Sequence, residues 1–447
     1  MKRGGIKLEE SRKQFYLKVL NNEISPALGC TEPAAVSLCA AGAAEALGEE
    51  VEQVEIRVSE YILKNGMNVG IPGLACTGLY MAGALGAVSA QPQKKMLILS
   101  GLSYEQKQRA AEMVCNEKVS VVLQENVEKI YISARVSGRN HNAEAVIEGK
   151  HTSFRRIQKD GKRIWESTSG KERRDTDKDM TDRDASLCMT MEEIWEFVQE
   201  TDKDSLAFLQ DVVDINMAIA EEGLQKDYGL HVGREIIHNG KDNLIGHDIA
   251  NMAAFTAAAA VDARMAGCMK PVMSVAGSGN QGLTATIPVI VTANAIGSPS
   301  DMLYRSLALS ILITIHAKQY IGRLSVLCGC SIASAIGVSG AMVYLYGGTL
   351  KNIFAAVRTM TADISGMICD GAKPGCALKI ATSVNAAARA AQLALNGIGA
   401  TQQDGIVRGD VEETLENLGK LGNEGMQGTN SAILKMLLNK TPTGICV

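Results

Sequence analysis

Val54-Glu55-Ile56-Arg57-Val58 alternates apolar and charged side chains. A period of two marks a strand with one face in a core, because successive side chains of an extended backbone point to opposite sides. The residues before it read differently. Glu9 to Leu20 sets Phe15, Leu17, Val19 and Leu20 at helical spacing, Ser25-Pro26-Ala27-Leu28-Gly29-Cys30-Thr31-Glu32-Pro33 interrupts with two prolines and a glycine, and Ala34 to Leu47 resumes a helix. Beyond the alternation, Met96 to Leu99 predicts a strand, Ser103 to Cys115 a helix, and Lys118–Leu123, Lys129–Val136, Ala143–Glu148 and Thr152–Ile157 four more strands. Ser167 to Asp184 is rich in Lys, Arg and Asp and reads as a solvated linker. From Met191 to Lys440 the pattern is helical, with glycine-rich breaks at Gly277–Gly282, Gly347–Gly348 and Gly371–Gly375. The expected fold class is α+β: a helical core from residues 1–49 and 185–447, an α+β insert over 50–166, and the charged linker 167–184.

Composition narrows the function. The chain has 447 residues, 46% apolar and 21% charged, an ordinary balance for a soluble enzyme. Aromatic residues reach only 4%, and the wealth of small side chains predicts closely packed helices. A net charge of −4 offers no clustered basic surface, so nucleic acid is not an expected partner. The N-terminus lacks an apolar signal-like stretch, which predicts a cytoplasmic location. Leu324 to Leu350 carries no charge and is long enough to span a bilayer, yet Cys328, Gly329, Cys330, Ser331, Ser334, Gly337, Ser339 and Gly340 make it poorly lipophilic. A helix buried in protein, and no membrane, is the expectation. A homo-oligomer is compatible with all of this.

Eleven cysteines in a cytoplasmic chain point to thiols or metal ligands rather than disulfides. Cys39, Cys76, Cys115, Cys188 and Cys268 sit among apolar residues and read as small core fillers. Cys30, Cys328, Cys369 and Cys376 lie in turn-like surroundings instead. Cys30 precedes a helix whose first turn holds Pro33, and a helix N-terminus favours a thiolate. Spacing alone leaves two readings level, since Cys-x-Cys and Cys-x6-Cys match neither ferredoxin nor zinc patterns. No His lies near these cysteines, which disfavours zinc.

Pro26-Ala27-Leu28-Gly29-Cys30-Thr31-Glu32-Pro33, Lys64-Asn65-Gly66, Gly277-Ser278-Gly279-Asn280-Gln281-Gly282 and Ser365-Gly366-Met367-Ile368-Cys369-Asp370-Gly371-Ala372 occur in this order. They resemble the L-cysteine desulfidase family, which is related to the bacterial iron–sulfur L-serine dehydratases, and the similarity runs from about Leu17 to Leu437. The resemblance implies a [4Fe–4S] cluster held by Cys30, Cys328 and Cys369, with Cys376 also fitting the third place. Cys330 has no counterpart and reads as a packing thiol. The implied reaction is α,β-elimination of L-cysteine to pyruvate, ammonia and sulfide, with L-serine dehydration as the alternative. No pyridoxal phosphate is expected, as a Schiff-base lysine with a phosphate cup is missing.

Such chemistry needs a base, a holder for the substrate carboxylate and a closed pocket. Ser278, Gly279, Asn280 and Gln281 offer backbone and side-chain donors, although a tight turn between helices explains them equally. Arg264 is a second candidate carboxylate holder, or a partner of Asp262. Lys64 after a strand-like run reads as a turn lysine, and the resemblance makes it a candidate base. His151 and His231 fall in segments similar to the family's and are also candidate bases, while His141, His238, His247 and His316 read as surface or capping groups. Glu32 could orient the substrate ammonium or cap its helix. Cys446 in the tail could cover an open iron, although a frayed end is the plainer reading. The non-enzyme rival is a membrane or metal-storage protein built on the uncharged helices.

Overall fold

The computed structural model describes residues 8–74, 76–167, 189–238 and 244–439. Its fold is α+β. The chain starts with a helix, Glu10–Glu23, and a short strand β1 (Ile24–Ala27). A long helix, Thr31–Leu47, leads to β2 (Gln53–Val58), the strand foreseen from the alternation. Helices Glu60–Gly66, Leu79–Ser89 and Tyr104–Cys115 then carry the chain to β3 (Val119–Leu123). β4 (Tyr131–Ser137), β5 (Asn142–Glu148), β6 (Phe154–Lys159) and β7 (Lys162–Glu166) follow as a meander. The sheet order is β3-β2-β4-β5-β6-β7, with β2 and β3 parallel and the other pairs antiparallel. A parallel pair needs a long crossover, and the three intervening helices supply it.

Register explains the buried face. Val54, Ile56 and Val58 of β2 stand opposite Val136, Ala134 and Ile132 of β4, so one side of the sheet is continuous hydrocarbon. The Thr31–Leu47 helix lies on that side, its alanines in the same core. Small residues allow this closeness: a Cβ on Gly42 would fall 2.6 Å from the Phe154 ring. The Ser37 hydroxyl donates to the Ala82 carbonyl at 2.7 Å, joining this helix to Leu79–Ser89. Its packing is therefore with the sheet, whereas the sequence reading grouped it with the later helices.

The second core is almost wholly helical. Ile332–Leu345 lies within it, packed against Gly279–Ala295, Ser300–Ile321, Leu350–Ile364 and Cys376–Leu395. At 14 residues this buried helix is about 21 Å long, too short for a bilayer. No helix among the described residues is long and apolar enough to cross a membrane. β8 (Val272–Val275) pairs antiparallel with β1 and so ties the first segment of the chain to the second core.

Three local expectations are corrected and one strand is added. Met96 to Leu99 is no strand: a 3-10 turn spans Pro92–Leu97, and Ile98 and Leu99 are apolar because they are buried. Lys64-Asn65-Gly66 closes the Glu60–Gly66 helix, which Ser59 caps, and is no turn. β7 was unforeseen, although Asp160-Gly161, both at positive φ, is the sequence signal of a tight hairpin. His316 is buried, its Nε2 2.6 Å from Glu412 Oε2, rather than at the surface. Most of the charged linker, Cys188, the His238 side chain and Cys446 lie outside the described residues.

Candidate active site

An open cavity lies where the two cores meet. The thiols of Cys30, Cys328, Cys330, Cys369 and Cys376 all line it. Cys30 is the N-cap residue of the Thr31–Leu47 helix, in extended backbone and buried. A lone antiparallel bridge between Leu327 and Ile368 sets the other two loops side by side. Cys328 N–H donates to the Met367 carbonyl at 2.9 Å and Cys369 N–H to the Val326 carbonyl at 2.6 Å. Cys376 opens the Cys376–Leu395 helix. Cys330, read as a packing thiol, stands with its sulfur 3.7 Å from that of Cys328.

Gly371 makes the second loop possible. Its φ of +96° suits glycine alone, and a Cβ there would collide with the Lys64 carbonyl oxygen. The Lys64 amine in turn donates to the Cys369 carbonyl at 2.9 Å. Gly371→Ala is expected to lower stability by about 1–3 kcal/mol, read as a lower thermal unfolding midpoint. An unchanged midpoint would show that this loop yields without cost.

Charge is arranged around the thiols. The hydrogen bond between the Cys328 and Cys330 sulfurs lowers Cys328, against its burial. Burial pushes Cys376 up to about 12 and raises Cys30 and Cys369 too. Metal binding at these thiols would therefore release protons. Among the described residues no three His, Cys, Asp or Glu groups close on a single ion. Several thiols spread around one space form a donor set suited to a polynuclear iron–sulfur centre, whose thiolates sit at separate irons.

A helix N-terminus and a buried cation also line the cavity. Gly279–Ala295 begins behind the turn of Ala276 and Gly277, both at positive φ, and Ser278 makes no side-chain cap. The first N–H groups of a helix have no partner within it. Arg264 lies beside them: Nη1 donates to Asn280 Oδ1 at 2.8 Å, Nη2 to the Gly29 carbonyl at 2.6 Å, and Nε is buried without a partner. A Cβ on Gly279 would fall 2.5 Å from the Arg264 guanidinium, so glycine is what lets the cation in. Gln281 donates to the Val275 carbonyl at 3.1 Å.

Glu32 is buried and accepts from Cys30 at 3.0 Å, Thr31 at 3.0 Å and Asn65 at 3.0 Å. Burial would raise its carboxyl, but His151 and these donors outweigh it, leaving the group below its ordinary range. His151 faces it with Nε2 buried and unpartnered. Burial, helped by the Arg323 charge and opposed by Glu32, lowers the imidazole. Asp370 is held at about 2, its burial overcome by ion pairs with Lys373 and Lys379.

Of the residues singled out from the sequence, Cys30, Glu32, His151, Arg264, Ser278, Asn280, Gln281, Cys328, Cys369 and Cys376 line the cavity. Gly279 and Lys64 support it from behind. His231 is not brought there; it sits at φ 58° before the Val232–His238 helix, its N–H on the Tyr228 carbonyl. Sequence reasoning missed Asn65, Lys318, Arg323 and Lys379. Lys64-Asn65-Gly66 contained the first of these, but nothing local marks the three cations.

A helical core, a six-stranded sheet and a thiol-lined cavity describe the fold and its site, and comparison with known sequences gives the family. The family described as the serine dehydratase alpha chain matches residues 93–435, and the chain belongs to that family. It is 40% identical to a UPF0597 protein of Oleidesulfovibrio alaskensis, over 98% of this chain and 100% of that one. A UPF0597 protein of Clostridium perfringens is 41% identical over 96% of this chain and 99% of its own length. One from Bacteroides fragilis is 36% identical over 97% and 100%.

Proposed function

We propose that the protein eliminates the β-substituent of a small L-amino acid, with L-cysteine preferred and pyruvate, ammonia and sulfide as products. The observation that carries this reading is that Cys30, Cys328, Cys369 and Cys376 line one cavity together with Arg264 and the first residues of the Gly279–Ala295 helix. Cys30, Cys328 and Cys369 would hold a [4Fe–4S] cluster, with Cys376 the alternative third ligand. When bound, that group supplies a Lewis acid for the departing β-substituent.

The remaining roles fall to side chains of the chain itself. Arg264 and the free amides of the Gly279–Ala295 helix bind the substrate carboxylate. The ionised Glu32 pairs with the ammonium. His151, with Nε2 buried and without a partner, accepts the α-proton. Lys64 is a positioning residue, acting through the Cys369 carbonyl.

Substrate choice follows from the acids. Glu32 and Asp370 are the carboxyl groups lining the cavity, and both are committed to hydrogen bonds or ion pairs as anions. Neither is placed to give a proton to departing hydroxide, whereas thiolate leaves more readily. The expected kcat/KM for L-cysteine is at least ~tenfold that for L-serine, about 1.4 kcal/mol of transition-state preference. Anaerobic assays of both amino acids on one preparation measure this. Equal or faster turnover of L-serine would favour serine dehydration, the second reading, which the family's description supports.

A further inference from the structure

We propose that Cys328 and Cys330 are a modification site, a thiol pair that a hydroperoxide converts into a reversible disulfide when the site holds no iron. The pairing is independent of the elimination argued above, while its consequence for the site rests on Cys328 as a cluster ligand. Cys330 lines the cavity, half-buried, and no step of that elimination uses it. Its neighbour Cys328 is buried.

The backbone brings the two sulfurs together. Cys328 and Cys330 flank Gly329 in a turn closed by the Cys328 carbonyl, which accepts from Ser331 N–H at 3.1 Å and from Ile332 N–H at 2.8 Å. Their sulfurs stand 3.7 Å apart. Residues two apart along a chain have Cα atoms within about 7 Å of one another. A bond between these sulfurs therefore needs side-chain rotation and little backbone movement. Glycine between them gives the small ring that the bond closes freedom to adjust. The other thiols of the cavity face oxygen instead: Cys30 donates to Glu32 at 3.0 Å, Cys369 faces Asn65 Oδ1 at 3.9 Å, and Cys376 faces the Gly371 carbonyl at 3.7 Å.

Cys330 reacts first, as the more accessible of the two. Its sulfur bonds to the outer oxygen of the hydroperoxide, the O–O bond breaks, and the thiol proton leaves with the alcohol, or with water when the reagent is hydrogen peroxide. Cys330 is then a sulfenic acid. The Cys328 sulfur attacks that sulfur, the S–S bond forms as the S–O bond breaks, and the hydroxyl leaves as water with the Cys328 proton. The two thiols lose two electrons and the peroxide gains them. A small dithiol restores both thiols by exchange. Bonded in this way, Cys328 cannot take up iron, and it is spared the oxidation to sulfinic acid that a dithiol does not reverse.

Peptide mass tests the pair. Trypsin cuts after Arg323 and Lys351, so the peptide 324–351 carries Cys328 and Cys330 and no other cysteine. Full-length protein, freed of iron by aerobic purification, reduced and desalted, is treated with hydrogen peroxide, blocked with N-ethylmaleimide and digested. Most of that peptide is expected to be two hydrogens lighter and without adduct, and dithiothreitol before blocking should give adducts on both cysteines. Adducts on both without dithiothreitol, or a cross-link from Cys328 to Cys30, Cys369 or Cys376, would overturn the proposal. In Cys330→Ser, which lacks the partner, the share of Cys328 left as sulfinic acid after peroxide and then dithiothreitol should rise at least ~tenfold. An equal share in both proteins would overturn the protection. Unmodified protein that holds no iron after anaerobic purification would overturn Cys328 as a ligand, and the peptide mass decides the disulfide in either case.

Discussion

Cys30→Ala and Cys328→Ala are each expected to lower pyruvate formation at least ~1,000-fold, because losing a ligand removes a Lewis acid worth several kcal/mol. The loss should appear first in composition: iron and acid-labile sulfide fall together after anaerobic purification, with the visible charge-transfer absorbance. Cys369→Ala and Cys376→Ala form the discriminating pair, and the one that keeps its iron is not the third ligand. Cys330→Ala, beside Cys328 but outside the proposed ligand set, should retain iron and lose about tenfold or less, the scale of an outer contact. Full iron content in Cys30→Ala would remove that residue from the ligand set, and a wild-type protein without iron or acid-labile sulfide would remove the cluster.

Arg264→Met is expected to reduce kcat/KM for L-cysteine by about two to three orders of magnitude, since a preorganised cation aimed at a carboxylate is worth several kcal/mol in a dry site. The guanidinium is buried, bonded to Asn280 and the Gly29 carbonyl, and its free Nε has no other use among the described residues. Arg264→Lys should not restore activity, because an ammonium cannot make the planar two-point contact. Steady-state kinetics with iron content on the same samples measure this. Loss of iron alongside activity would mean that Arg264 serves mainly to fix the Cys30 loop, and normal KM and kcat would remove it from substrate binding.

Legibility differed from residue to residue. The β2 alternation, the Ser103–Cys115 helix and the strands after it could be read because period and propensity are local properties. Cys30 and Cys369 stood out because prolines and glycines surround them, and the Gly277–Gly282 segment because glycine marks close approach. Met96 to Leu99 misled because apolar character reports burial, not strand geometry. From its neighbours alone Lys64 reads as a turn lysine, and only the resemblance marks it as a candidate base, because nothing nearby in sequence shows that the Gly371 loop will pack against it.

By itself, then, the chain's pattern determined an α+β fold, the positions of most strands and a set of thiols outside helix interiors. The tertiary structure alone decided which of these meet. The Leu327–Ile368 bridge aligns Cys328 with Cys369, and Arg264 reaches from one core to the Gly29 carbonyl before Cys30. It also decided the fate of the cations. Lys318, Lys379 and Arg323 look alike along the chain, yet two find carboxylates and the third is left buried beside the thiols. Burial and pairing are set by what packs from elsewhere in the fold, and a lysine's chemistry depends on both.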